Sequence, residues 1–171
     1  IPALGECWLD FHYEGYIDTR ETQIELLSKT CDLAQELDLP LVIHSRAAFE
    51  DTIDVLSNYR DLKYCFHCRW YWPEELKKVL NLFPKVFIWF AWNVTFPKAI
   101  ELKNTLLECP MDRIILETDA PYLAPQKVRG QTNEPAMVKY IYDFASQVLA
   151  TDDEYLQNIV EQNFKNFYNI N

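Results

Sequence analysis

Short apolar segments alternate along the chain with longer amphipathic stretches. Five of the apolar segments predict β-strands, at residues 4–9, 41–45, 64–68, 86–91 and 114–118. Segments such as Leu41-Val42-Ile43 are apolar at successive positions. This pattern is typical of strands that are buried on both faces of a parallel sheet. Because the strands alternate with helical patterns, the sequence predicts βα units.

The amphipathic stretches carry signals for the starts of helices. Asp18 and Glu21 are spaced to cap the first helix, and Pro73 is followed by two glutamates that suit the amino-terminal end of another. Thr151 and Glu154 fit a capping box for the last helix. The other helices are predicted at residues 97–108 and 133–149, and the last one at 151–168.

The chain has 171 residues, whereas an eight-stranded (β/α) barrel needs about 250. We therefore expect an α/β fold in which residues 1–171 form a single incomplete domain, the C-terminal five of eight units of a TIM-like barrel. An open, doubly wound sheet is the alternative from the pattern alone. The chain does not begin with Met, and we expect the natural start to lie upstream.

Composition narrows the classes of function. The net charge of -10 argues against a broad cationic surface for duplex DNA. No apolar run reaches the 18 residues of a membrane-spanning helix. The five cysteines are an odd number in a chain without secretory features, which favours reduced thiols and a cytoplasmic protein.

Polar residues with metal-binding side chains lie at the ends of several predicted strands. His44 and His67 lie at or near the carboxyl ends of two strands, Glu6 lies on the first, and Asp119 directly follows the fifth. A barrel assembles its site at this edge, and imidazoles mixed with carboxylates suit Zn, Mn or Mg. One such residue alone is more often a hydrogen-bonded structural residue or a helix cap. Four at the same edge predict a metal site.

Five local motifs resemble those of the TatD-type metal-dependent deoxyribonucleases of the amidohydrolase superfamily. Their order and spacing run through the whole chain. The segments ETDAPYL and RGQTNEP are the most specific of them. The motifs are GECWLD at 5–10, LVIHSR at 41–46, FHC at 66–68, ETDAPYL at 117–123 and RGQTNEP at 129–135.

The resemblance implies a TIM-like barrel with one or two divalent metal ions, Mg, Mn or Zn. Glu6 would be shared between the metals, and His44 and His67 would ligate one of them. Asp119 would bind a metal and take the proton from the attacking water, so that Asp119 and Glu6 are the expected catalytic residues. The implied substrate is DNA, attacked at its 3′ end, with no obligate protein partner.

Other polar residues near the strand ends could contact the substrate or orient the ligands. Arg46, Arg69 and Arg129 are candidates for binding substrate phosphates, with solvated loop charges as the alternative. Glu117 shares its strand parity with Asp119 and is expected to face the same interior. The three tyrosines near these ends could stack on a base or pack at the rim: Tyr13, Tyr16 and Tyr71.

Two departures from the family pattern leave alternatives open. The H-x-H pair of the family's first strand is missing, and we expect it upstream. The second departure is the distribution of glycine and tryptophan. The sequence has only three glycines, against about twelve at ~7% usage. All five tryptophans stand where small residues are expected: Trp8, Trp70, Trp72, Trp89 and Trp92.

Two hypotheses account for these tryptophans. In the first, UGA codons that specify glycine have been translated as tryptophan. In the second, the tryptophans are genuine and overfill the barrel, at about 1–3 kcal/mol per overpacked site. The functions that remain open beside DNA hydrolysis are hydrolysis of an amide, lactone or small phosphoester at the same metal centre, and an inactive fragment that binds partners.

Overall fold

A computed structural model describes residues 2–67 and 72–170. Five parallel strands form one sheet in the order β1-β2-β3-β4-β5, in which each strand pairs with its neighbour along the chain. All five predicted strands are present. The strands are β1 (Leu4–Asp10), β2 (Leu41–Arg46), β3 (Tyr64–Phe66), β4 (Val86–Phe90) and β5 (Ile114–Leu116).

Helices connect the strands and follow the last one. The helix α2 was not predicted, because it has only two turns and carries three acidic residues among its apolar ones. Its buried Phe49, Ile53 and Leu56 nevertheless have helical spacing. The helices of the described residues are α1 (Arg20–Leu37), α2 (Phe49–Leu56), α3 (Pro73–Leu82), α4 (Ile100–Glu108), α5 (Val138–Leu149) and α6 (Asp153–Tyr168).

Two of the predicted helix caps are wrong. Helix α1 follows a 3-10 turn at Tyr16–Thr19, and its N-cap is Thr19 rather than Asp18, without a side-chain capping hydrogen bond. The N-cap of α6 is Asp152 rather than Thr151. The Asp152 carboxylate accepts hydrogen bonds from the backbone N–H groups of Glu154 and Tyr155, at 2.9 and 3.1 Å. Asp152, one residue beyond the predicted cap, therefore supplies the acceptor for the free backbone N–H groups in the first turn of α6.

The two faces of the sheet have different partners. The outer face, with residues such as Leu41, Ile43 and Phe66, packs into the main core with the helices. The inner face carries a smaller apolar cluster at its amino-terminal end. This cluster consists of Cys65, Phe87, Ile115 and Phe167, with Val42, Trp89 and Tyr168 packed against it.

Helix α6 covers the amino-terminal end of the inner face. Phe167 supplies its aromatic ring to the inner cluster, with its centroid 5.7 Å from that of Phe87. The Asn163 side-chain amide donates to the backbone carbonyls of Met111 and Ile114, each at 2.8 Å. Because α6 occupies this end, the open end of the inner face is the carboxyl end of the strands.

The tryptophans differ in their exposure. Trp8 is 48% exposed and Trp72 is 54% exposed. Trp89 is partly buried, and its indole N–H has no hydrogen-bond partner among the described residues. Trp92 is also partly buried. Trp70 lies outside the described residues.

The four described cysteines, Cys7, Cys31, Cys65 and Cys109, are free and buried. Burial raises the pKa of the Cys7 thiol to about 11 and that of Cys31 to about 12. Thiols with such raised pKa values form little thiolate and are unreactive. Cys68 lies outside the described residues. No helix in residues 2–67 and 72–170 has the length and apolar character needed to cross a membrane.

Replacing the observed cap should cost more stability than replacing the predicted one. We expect Asp152→Ala to lower the free energy of unfolding by about 1 kcal/mol, because two backbone N–H groups lose their acceptor. The neighbouring Thr151→Ala is the matched control, with an expected change within about 0.5 kcal/mol. Urea denaturation monitored by circular dichroism measures both. Equal losses in the two variants would contradict the assignment of the cap.

Candidate metal centre

A bulge in β1 places Glu6 on the inner face. Leu4 pairs with Leu41 and Cys7 pairs with Ile43, so three steps on β1 match two on β2. Such an extra residue shifts the alternation of side chains. Gly5 lies within the bulge at φ +136°, and a Cβ at this position would lie 2.7 Å from the carbonyl oxygen of Val42. Only glycine fits this close approach, which allows Glu6 to reach the histidines.

Glu6, His44 and His67 bring three potential ligand atoms together. His44 Nδ1 lies 3.2 Å from His67 Nε2 and 3.9 Å from Glu6 Oε1. His67 Nε2 also contacts Glu6 Oε1 directly. All three atoms lie within 4.8 Å of one another. Two imidazole nitrogens and one carboxylate oxygen in this arrangement could hold a divalent cation.

Each histidine has a second carboxylate beside its other ring nitrogen. Asp10 Oδ2 lies 3.5 Å from His44 Nε2, and Glu117 Oε1 lies 3.3 Å from His67 Nδ1. A neutral imidazole that donates its N–H to such a carboxylate keeps the lone pair on its other nitrogen. The two carboxylates therefore direct His44 Nδ1 and His67 Nε2 toward Glu6. The predicted position of Glu117 on this face is confirmed.

Asp10 was missed in the sequence. It is 6% exposed, and its carboxylate also accepts the backbone N–H of His12 at 2.8 Å. Residues 6, 8 and 10 share one parity within the first motif, but the partner of Asp10, which is His44, lies on the neighbouring strand.

Burial and neighbouring charges shift the pKa values of Glu6, His44 and His67. Burial opposes a charge on His67, but hydrogen bonds and charges from Glu117 and Glu6 raise its pKa to about 10, so a metal ion would bind Nε2 by displacing its proton. Burial likewise opposes a charge on Glu6, yet its hydrogen bond to His67 and the charges of both histidines lower its pKa. Burial lowers the pKa of His44, assisted by the charge of His67. The carboxylates of Glu6, Asp10 and Glu117 together create a negative potential that favours a cation.

The three donors and Asp119 line the same cavity, of about 400 Å³. Asp119 follows β5 with φ +54° and lies outside the group of three donor atoms. The Trp92 indole N–H donates to Asp119 Oδ2 at 3.5 Å. The described lining residues are Glu6, Asp10, Tyr13, His44, Ser45, Arg46, His67, Trp92, Asn93, Asp119, Tyr122 and Leu123.

The three candidate arginines lie in different positions. Arg46 lines the cavity, and its guanidinium donates to the Tyr13 hydroxyl at 3.1 Å. Arg129 is not among the described lining residues, and its guanidinium carbon lies 4.6 Å from the centroid of the Phe96 ring. Arg69 lies outside the described residues. Of the two candidate arginines that the structure describes, Arg46 lines the cavity and Arg129 is not among the lining residues.

Asn93 is a further lining residue that sequence reasoning missed. It is 1% exposed, and both polar atoms of its side-chain amide lack a hydrogen-bond partner among the described residues. It follows β4 as His67 follows β3 and Asp119 follows β5. A polar residue just past a buried strand was therefore the signal that could have identified it.

Comparisons with a family model and with individual relatives point to the same family. The model of the family described as "TatD related DNase" matches residues 1–169. An uncharacterized metal-dependent hydrolase of Buchnera aphidicola is 34% identical over 99% of this chain and 64% of its own length. A Rahnella protein named 3'-5' ssDNA/RNA exonuclease TatD is 31% identical over 98% of this chain and 65% of its own. The chain thus spans slightly less than two thirds of each.

A solved structure shows the same fold. The crystal structure of YJJV, a TatD homologue from Escherichia coli, superposes with a TM-score of 0.87 at 22% sequence identity. The match covers 99% of this chain and 64% of that protein. The five parallel strands and their helices are therefore arranged as in the TIM-barrel-like TatD structures.

The carboxylates of Asp10 and Glu117, which lie beside the histidines, should control the affinity of the site for its metal ion. We expect Asp10→Asn and Glu117→Gln each to weaken binding of Mn²⁺ or Zn²⁺ by about 10- to 100-fold, because the amides no longer orient the histidines as ligands. Isothermal titration calorimetry measures the affinity. Asp54→Asn, at an exposed position of α2, is the control and should bind as the unaltered protein does. Unchanged affinity in both test variants would contradict the orienting role.

Proposed function

Because the chain belongs to the TatD related DNase family, we propose that it acts as a divalent-metal-dependent hydrolase on phosphodiester bonds of DNA, removing nucleotides from 3′ ends. The observation that carries this proposal is the group of donor atoms from Glu6, His44 and His67 in a solvent-accessible cavity. The name of the Rahnella relative supports the class of substrate.

The donor atoms of Glu6, His44 and His67 fit one divalent ion, and a second ion is part of the proposal. Glu6, His44 and His67 would hold the first, and Glu6 and Asp119 would contribute to a second. Mixed imidazole and carboxylate ligands suit Zn and Mn, and Mg where carboxylates and water dominate. Such a cation would lower the pKa of a coordinated water to as little as about 7 and so would supply hydroxide at neutral pH.

The chain's own residues would orient the reactants and move the proton. Asp119 lies in the cavity wall and would accept a proton from the attacking water. Glu6 would hold the charged metal centre in position. Arg46 would pair with a substrate phosphate at the cavity mouth. Arg69 and Arg129 are proposed as more distant phosphate contacts, with Arg129 supported on the Phe96 ring.

We also propose that the five βα units correspond to the C-terminal five of the eight units of a TIM-like barrel. The match to 64% of the YJJV chain at a TM-score of 0.87 supports this correspondence. The proposed activity therefore refers to the protein in which these five units are combined with the rest of the barrel.

Chelator-sensitive release of nucleotides tests the proposed reaction. We expect 3′-labelled single-stranded DNA to lose mononucleotides in the presence of Mg²⁺ or Mn²⁺ and to stay intact with EDTA, because the donor group needs its cation. The products are resolved by gel electrophoresis. A small phosphodiester or a lactone, either of which fits a cavity of about 400 Å³, tests the second candidate function. Cleavage of the small ester alone would reject DNA as the substrate.

Substitution of the proposed proton acceptor tests its role separately. We expect Asp119→Asn to lower kcat by about 10²- to 10⁴-fold, since an amide cannot accept the proton of the attacking water. Metal affinity, measured on the same samples, separates this loss from loss of the ion. Asp54→Asn again serves as the control. Activity that survives in Asp119→Asn would remove Asp119 from the mechanism.

A further inference from the structure

Tyr13 belongs to an aromatic group on the β1 side of the cavity. Its ring makes edge contacts with His12 and Tyr16, at centroid distances of 5.1 and 5.3 Å. Trp8 continues the group, 6.5 Å from Tyr16. Tyr13 is nevertheless 53% exposed and lines the cavity. The ring is thus held by its neighbours while more than half of its surface stays accessible.

Arg46 lies over one face of this ring, which leaves the other face for a ligand. It is the last residue of β2, two positions beyond His44 and therefore on the same face of the strand. Its guanidinium carbon lies 5.1 Å from the centroid of the Tyr13 ring, and its Nη1 donates to the Tyr13 hydroxyl at 3.1 Å. The contact fixes a cation and an aromatic surface next to each other, beyond the metal donors.

The dimensions and charge of the cavity restrict what can bind there. A volume of about 400 Å³ lies toward the lower end of ligand pockets, which range over about 300–1,000 Å³. Tyr122 and Leu123, which are 68% and 57% exposed, also line the cavity. With a net charge of -10, the chain as a whole repels a polyanion. The Arg46 guanidinium can pair with an anionic group, and the Tyr13 ring can stack on a flat ring. Together they suit a ligand that carries both.

We propose that Tyr13 and Arg46 bind the terminal nucleotide of a single strand. Tyr13 stacks on the base, and Arg46 pairs with the adjoining phosphate. An internal base of a duplex is stacked on both faces by its neighbours, whereas the terminal base of a single strand can turn a free face to an aromatic ring. Stacking uses the ring face that all bases share, so the recognition has little base preference. The inference rests on the proposed function for the location of the scissile bond.

Binding of a fluorescently labelled single-stranded oligonucleotide, followed by anisotropy with Mn²⁺ in an Asp119→Asn background, tests this inference. We expect Tyr13→Ala to weaken binding by about 5- to 150-fold, the range of lost base stacking, and Tyr13→Phe to bind nearly normally. An oligonucleotide with an abasic 3′ end should bind equally well whether or not the protein carries Tyr13→Ala. Tyr155→Ala, at a tyrosine of similar exposure on α6, should change neither affinity.

Salt dependence separates the two roles. We expect Arg46→Gln to reduce the slope of log affinity against log salt by about 0.7, the loss of one phosphate contact on a single strand. Tyr13→Ala should leave the slope unchanged. If Tyr13→Ala weakens binding to normal and abasic ends equally, or to neither, the inference is overturned.

The assays also distinguish this inference from the proposed function. Cleavage of single-stranded DNA with no Tyr13 effect on binding would reject the inference and leave the function. Binding that depends on Tyr13, without any cleavage by the protein carrying Asp119, would reject the function and support the recognition of strand ends.

Discussion

The site depends on bringing two imidazoles and a carboxylate into contact, with His67 buried and His44 half-buried. Such burial is costly unless every polar atom is paired. Asp10 and Glu117 meet this requirement, since each lies beside the ring nitrogen that points away from Glu6. The bulge at Gly5 supplies the third member by turning Glu6 toward the histidines. Ligand orientation therefore follows from pairs of residues on neighbouring strands.

The rest of the inner face supports this arrangement by excluding water from below. Val42 and Cys65 are register partners on β2 and β3, and each precedes a site histidine by two residues. Phe167 from α6 closes the same layer. An apolar layer beneath polar groups lowers the local dielectric and strengthens their interactions. The chain thus divides its inner face into an apolar amino-terminal end and a polar carboxyl end.

The sequence predicted the five strands from their apolar segments, and it placed His44 and His67 at or near strand ends, where their rings lie close together. It did not predict α2, whose two turns are too short for a clear periodic signal, nor the cap at Asp152, which differs from the predicted one by a single position. Asp10 was missed because its role depends on pairing with a neighbouring strand. Such pairings depend on register, which a single sequence does not specify.

Trp92 lies in the wall of the cavity beside Asp119. Its ring packs against Phe96 at a centroid distance of 5.2 Å, while its indole N–H is directed to Asp119. The ring lines the same cavity as Glu6, His44 and His67. The paired side chains of Tyr13 and Arg46 line this cavity as well, so aromatic and cationic groups share its wall with the metal donors.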